Sequence, residues 1–377
     1  MKHSNYCTSV AGLVATVSAL FIFMASCFTL TYASADTLPN NRWRLSLRSD
    51  SRTFTQVSGQ TFGNDGSPNG DYKYYDVKDY AAKNIEAFQL LIQGGLVSQD
   101  IKLLDSGSET NYFVDLAYGI TDSLSFGLSV PYRIRIVNYS DEYVQKFTQL
   151  NEAAKNGFIP GVSDEDITVP PKTARGEGFG DITAGFRYKL MEHFSLQATA
   201  KAGLLKIGKD YTEISKKTDG HEELVTGISG DEYTLEAYYD FLALPFRIEF
   251  SGIYTIFTPG HASGLDNDFD TVKGNTFQLS ATSVIPVSKE FQCKLGGYYF
   301  TGAASQIKEN GSWSEIPNSG IQSVVGRLEL NYHLSLFSEL WLGLERPFYS
   351  QATGGLYDYP GRLNTDLVLD LGVHLFM

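Results

Sequence analysis

The stretch that decides the fold runs from Asn111 to Val137 and reads NYFVDLAYGITDSLSFGLSVPYRIRIV. Tyr112, Val114, Leu116 and Tyr118 alternate with Phe113, Asp115, Ala117 and Gly119. After the turn Thr121-Asp122-Ser123, Leu124, Phe126, Leu128, Val130, Tyr132, Ile134 and Ile136 take every second position. Between them stand Ser125, Gly127, Ser129, Pro131, Arg133 and Arg135. A period of two is the mark of a strand. The apolar face here far outruns the roughly 5–6 residues of an ordinary globular strand. A soluble sandwich would bury that face in a core. A transmembrane barrel would turn it to lipid and leave Asp115, Arg133 and Arg135 in a wet lumen.

The rest of the chain favours the barrel. Phe194–Leu205 follows Gly180–Leu190 across a tight turn, and Tyr233–Phe241 pairs with Phe246–Phe257. Thr276–Ile285 pairs with Phe291–Thr301, Ile321–Leu334 with Leu340–Phe348, and Asn364–Met377 ends the series. Connections after Tyr118, Leu190, Phe241, Ile285 and Leu334 span about three to five residues, and those between the hairpins are long, polar and Gly-rich. Outer-membrane barrels separate periplasmic turns from external loops in this way. Counting a first strand at Ile85–Val97 gives an antiparallel up-and-down barrel of about twelve strands over 85–377, with both ends on the short-turn side. Fourteen is the alternative, if 36–84 adds a hairpin; that region reads better as an N-terminal extension or a plug. Met377 holds the outward terminal position and Phe376 is one position off.

Composition agrees. The chain has 377 residues, 42% of them hydrophobic, with 23 Tyr and 24 Phe. Its mean hydropathy is −0.16, too low for a bundle of helices that each need ~20 continuous apolar residues. Aromatic girdles at two membrane interfaces are one reason for the excess of rings, and a large β-sandwich core is the other. Residues 1–35 read as a signal peptide: Lys2 and His3, an apolar run Val10–Leu30, and Ala33-Ser34-Ala35 before Asp36. An uncleaved anchor and a lipoprotein site at Met24–Cys27 are the alternatives. Cleavage after Ala35 removes Cys7 and Cys27 and leaves Cys293 alone, so the mature chain has no internal disulfide. The net charge of −13 disfavours a nucleic-acid partner, which needs a basic footprint.

With the apolar face to lipid, the lumen collects Asp115, Arg133, Arg135, Asp181, Arg187, Lys189, Arg247, Glu249, Arg327 and Glu329, together with Lys201, Glu236, Asp240, Lys294, Glu345 and Asp370. Each charge would cost roughly 2–4 kcal/mol at mid-depth on the lipid face, which fixes the register. Either these groups form a solute path, or they cross-link and fill a narrow barrel. Asp115 is the expected partner of Arg133 and Arg135, unless register places it nearer the turn. Ser140 opens an expected helix with Tyr143, Phe147 and Leu150 at helical spacing, ended by Asn156-Gly157. In the longest external loop it would gate the mouth or rest on other loops. Asp266, Asp268 and Asp270 alternate and could ligate Ca²⁺, a cation associated with lipopolysaccharide. The Gly and Glu of an EF-hand loop are missing, however, and no resident metal or cofactor is expected. His193-Phe-Ser195 and His333-Leu-Ser335 match the His-x-Ser of outer-membrane phospholipases, at the wrong end of the strands and without the following Asn-Gly. Mid-strand Pro131 removes a ladder donor.

Two segments carry a resemblance. YGITDSLSFGLSVPYR (118–133) and GEGFGDITAGFRYKL (176–190) resemble the outer-membrane family named for the meta-pathway of phenol degradation. The likeness is clearest over 110–205. It implies a Gram-negative outer-membrane barrel that passes small hydrophobic or aromatic compounds. The long insertion after Ser140 and the Met377 terminus depart from the family's commonest form. The expectation is therefore a non-enzymatic outer-membrane channel. Its partners would be a small-molecule solute, outer-membrane lipid and lipopolysaccharide, and the barrel-assembly machinery. A structural or adhesive barrel is the alternative, and a lipid-directed enzyme a distant third.

Overall fold

The computed structural model describes residues 37–62, 68–84, 89–159, 167, 169–202, 230–243, 246–263, 268–309, 311–315, 320–353 and 362–377. The expected signal peptide, 1–35, lies outside these. The strands are β1 (Trp43–Phe62), β2 (Pro68–Asp76), β3 (Leu104–Thr121), β4 (Leu124–Tyr139), β5 (Thr173–Phe179), β6 (Ile182–Met191), β7 (Phe194–Ala202), β8 (Glu232–Ala243) and β9 (Phe246–Phe257). They continue as β10 (Gly260–Ser263), β11 (Asp268–Val272), β12 (Thr276–Pro286), β13 (Phe291–Gly302), β14 (Gln306–Glu309), β15 (Ser312–Glu315), β16 (Gly320–Ser335), β17 (Ser338–Thr353) and β18 (Arg362–Phe376). The helices are α1 (Gln89–Gln93) and α2 (Asp141–Lys155).

Twelve of these strands form a closed antiparallel barrel in the order β1-β3-β4-β6-β7-β8-β9-β12-β13-β16-β17-β18, and β18 returns to β1. Strands β2 and β5 prolong the wall upward. β2 takes over beside β1 from Gln56, and β5 pairs the upper half of β4. Strands β10, β11, β14 and β15 form a separate small sheet from two of the long connections. Short connections join β3 to β4, β6 to β7, β8 to β9, β12 to β13 and β16 to β17, all at one end.

The outward face is apolar and open. Val114 is 51% exposed, Leu295 57% and Leu371 52%. A water-soluble chain could not leave so continuous an apolar belt uncovered, whereas lipid satisfies it. The inward face holds small, polar and charged groups: Ser46, Asn111, Asp240 and Asn331 are all buried.

The first wall strand corrects the sequence reading. Residues 36–84 were expected as an extension or plug, and Ile85–Val97 as the first strand. Instead β1 closes the barrel, pairing Arg44–Ser58 with β18 and Trp43–Phe54 with β3. The apolar run after Ile85 forms the single helical turn α1, and its Leu91, Ile92 and Leu96 pack into a core above the wall. The strand number survives because one strand replaces the other.

That core is the second unit of the fold. Val57, Val77, Tyr80, Val97, Ile101, Leu103, Leu104, Tyr139, Tyr143, Leu150 and Ala174 are buried together, with Phe147 against them. Tyr139 and Val137 continue the period of Arg133 and Arg135 along β4, so the core lies on the lumen side of the wall's external end. Pro131 marks a change of partner. Below it Ser129 pairs Thr183 of β6; above it Tyr132 pairs Phe179 of β5. The lost donor falls at this bulge, where the Pro131 carbonyl still accepts from Gly180 N at 2.9 Å. Gly180 and Asp181 separate the two strands.

Candidate functional site

The lumen is the candidate site, and pairing register orders its layers. At the external end Glu109 of β3 lies opposite Arg135 of β4. Its carboxylate is 2.6 Å from Arg135 Nε and 3.8 Å from Arg133 Nε. Arg133 also donates to Asn111 Oδ1 at 2.6 Å. The Asn111 amide in turn donates to Asp50 Oδ1 at 2.7 Å and Glu109 Oε1 at 3.1 Å. Arg52 Nε stands 3.6 Å from Asp50. Thus Glu109, not Asp115, is the partner of Arg133 and Arg135. Asp115 is nearer the turn, paired with Arg48 at 3.1 Å and accepting from Ser129 at 2.5 Å.

A second network crosses β9, β13, β16 and β17. Lys294 Nζ bridges Glu249 at 3.6 Å and Glu329 at 3.3 Å. Arg247 holds Glu249 at 2.6 Å, and Arg327 holds Glu329 at 2.9 Å. Arg327 Nε reaches Glu345 at 3.5 Å, and Tyr298 donates to the same carboxylate at 3.0 Å. A third chain runs from Arg187 through Gln197, 3.0 Å, to Glu236, 2.8 Å, with Tyr238 also donating to Glu236. Lys201 and Glu232 pair at 2.6 Å near the external end. Asp181 is buried at the β5–β6 break, and Lys189 keeps the lumen-facing parity of Arg187 on β6. These charged residues, expected in the lumen, share its face but fall into separate networks.

Sequence reasoning missed Arg44, Arg48, Asp50 and Arg52, because the strand that carries them was not recognised as wall. The signal was present in the alternation Trp43-Arg44-Leu45-Ser46-Leu47-Arg48. It also missed Glu109.

Above the external network sits α2. Ser140 caps it, accepting from Tyr143 N at 3.1 Å, and Asp141 and Glu142 occupy the first turn. Tyr143, Phe147 and Leu150 turn into the apolar core, with the Tyr143 and Phe147 rings 4.8 Å apart. Lys172 ties the helix down, 2.7 Å from Asp105 and 2.8 Å from Asp141. Of the alternating aspartates, Asp266 and the side chain of Asp268 lie outside the described residues. Asp270 stands 3.6 Å from Lys308. Ser335 accepts from Phe337 N at 3.1 Å and shares a hydrogen bond with Ser338 at 2.8 Å. Its hydroxyl is thus engaged in the turn. Ser195 is fully buried.

No protein-family model matches the chain, and no curated protein sequence matches it. Among solved structures, an outer-membrane channel from Pseudomonas putida F1 is similar in fold. The TM-score is 0.53 at 13% identity, over 93% of this chain and 100% of that one. A FadL homologue from Pseudomonas aeruginosa (TM-score 0.39, 11% identity, 89% and 90% covered) and the translocator domain of the autotransporter NalP from Neisseria meningitidis (0.39, 6%, 98% and 97%) follow. The fold is that of an outer-membrane β-barrel.

Proposed function

We propose that the protein is an outer-membrane channel for small solutes, gated at its external mouth. One observation carries this reading: a closed barrel whose apolar face is outside surrounds a lumen of hydrogen-bonded charges, capped at one end by a helix-containing core. The similar fold of the P. putida channel agrees with it. Tyr143, Phe147 and Leu150 serve as the gate's apolar anchor. Arg133, Arg135 and Glu109 form the polar layer that a solute meets next. The export signal at 1–35, insertion by the barrel-assembly machinery and contact with lipopolysaccharide belong to the same reading.

The resemblance to the phenol meta-pathway family points to hydrophobic or aromatic solutes, and the lumen side chains point to charged ones. A small compound with a carboxylate on an organic body satisfies both. Planar-bilayer recording tests the channel itself. The expected result is discrete conductance from the intact protein, rising when 141–170 is deleted. Silence from both forms would sink it in favour of a structural barrel.

A further inference from the structure

On the channel reading just given, we infer that the short-turn half of the lumen holds a binding subsite for small organic carboxylates, built by Arg44, Arg48 and Arg187. A cavity of about 260 Å³ lies there, lined by those three arginines, Asp115 and Gln197, by small residues such as Gly127, Ser129 and Gly185, and by apolar ones that include Leu38 and Phe126. Small side chains make the hollow, and the arginines project into it from β1 and β6. Asp115 is the one carboxylate in its lining, and Arg48 with Ser129 already occupies it. Arg48 lies over the Phe113 ring at 3.8 Å, and Arg187 over the Tyr238 ring at 4.1 Å, so both forks are held in fixed planes.

Arg44 is the unusual member. Among the described residues it has no ion-pair partner; its Nε is buried without a hydrogen-bond partner, as are those of Arg52, Arg247 and Arg327, but those three are ion-paired. Its charged neighbours include Arg187 as well as Asp115 and Glu339. Elsewhere in the lumen cations are matched to carboxylates: Glu109 to Arg133 and Arg135, Glu249 and Glu329 to Lys294. A half-buried guanidinium beside another, with no carboxylate within ion-pair distance among the described residues, is a state that an anion relieves. A planar fork of donors fits a carboxylate with two parallel hydrogen bonds. Phosphate fits the same fork, but the three guanidinium charges set against Asp115 and the neighbouring Glu339 leave about one positive charge, which matches a carboxylate and not the near-double charge of phosphate.

The test is bilayer recording of the full chain, wild type and Arg44→Gln, in a potassium chloride gradient, with acetate, benzoate or inorganic phosphate added. The wild type is expected to favour chloride over potassium. Acetate and benzoate should reduce chloride current saturably, and phosphate much less. Arg44→Gln should weaken the carboxylate effect about tenfold, the loss of one charged hydrogen bond. Heat-modifiable gel mobility checks that the variant is folded, and Arg44→Lys, which keeps the charge without the fork, serves where it is not. Conductance that is indifferent to carboxylate, or unchanged by either variant, overturns the subsite and leaves the channel standing. Block by phosphate stronger than by carboxylate overturns the assigned class. Absence of any current strikes at the channel reading instead.

Discussion

Glu109 is the residue on which the external layer of the lumen depends. It faces two arginines with a side chain only 12% exposed, and Arg133 is 22% exposed. Glu109→Ala takes the shared carboxylate away from both cations. The expected cost is about 2 kcal/mol, for charged hydrogen bonds in a partly wet site, read as a lower unfolding midpoint in detergent. Arg135→Ser removes only the more exposed partner. It should leave assembly intact and change permeation, seen as altered conductance at normal heat-modifiable mobility. On the other face Leu128→Arg puts a charge into lipid at roughly 2–4 kcal/mol, and no folded barrel should reach the membrane fraction. The two faces were legible from the sequence at this scale, because Leu128 and Arg135 occupy opposite parities of one strand. The ion partners were not. Partners depend on which residues lie opposite across strands, and nothing within β4 encodes that Glu109, and not Asp115, pairs with Arg135.

At the scale of elements, α2 and its tether invite a pH experiment. The hydrogen bonds that the Lys172 ammonium donates to Asp105 first, then to Asp141, hold it above its ordinary pKa. A raised lysine pKa means that the tether is complete below the ordinary lysine value and is lost as pH climbs through the raised one. Channel noise from the external mouth should therefore stay flat through neutral pH and grow only under strongly alkaline conditions, while Lys172→Met should be noisy at neutral pH. The helix itself was legible: its Ser140 cap, its apolar spacing and its Asn156-Gly157 end all lie within one local stretch. The strand β1 was not. Its outward positions run Leu45, Leu47, then Ser49, Ser51 and Thr53, so the apolar period fades after a few residues. The run after Ile85 misled for the opposite reason. Leu91, Ile92 and Leu96 are apolar because they fill the cap core, and a short apolar run does not declare its period.

For the whole molecule, the correction at β1 reverses an expectation. Were 36–84 an appendage, its deletion would spare the barrel. As wall, it is indispensable: without Trp43–Phe62 the strands β3 and β18 are left as open edges. Deleting 36–62 should abolish heat-modifiable folded protein, whereas deleting only 68–76, the β2 extension, should preserve it. The alternation of short and long connections, which gave the architecture from sequence, is insensitive to this distinction. It counts strands without saying where the first one begins.

The seam where β1 meets β18 has a further consequence. Trp43 N donates to Met377 O at 2.9 Å, and Met377 N donates to Trp43 O at 2.9 Å. The two ends of the wall are thus ladder neighbours, and the barrel is a ring whose opening point is a matter of chain connectivity. His374 and Ser46 meet at 2.6 Å across 328 positions, while the other wall ladders join wall strands that follow one another along the chain. A chain emerging from its N-terminus therefore carries an amphipathic sheet with a waiting edge until its last strand arrives. The first strand made is then the last to be satisfied on both sides, and a neighbouring copy's C-terminal strand could compete for that edge.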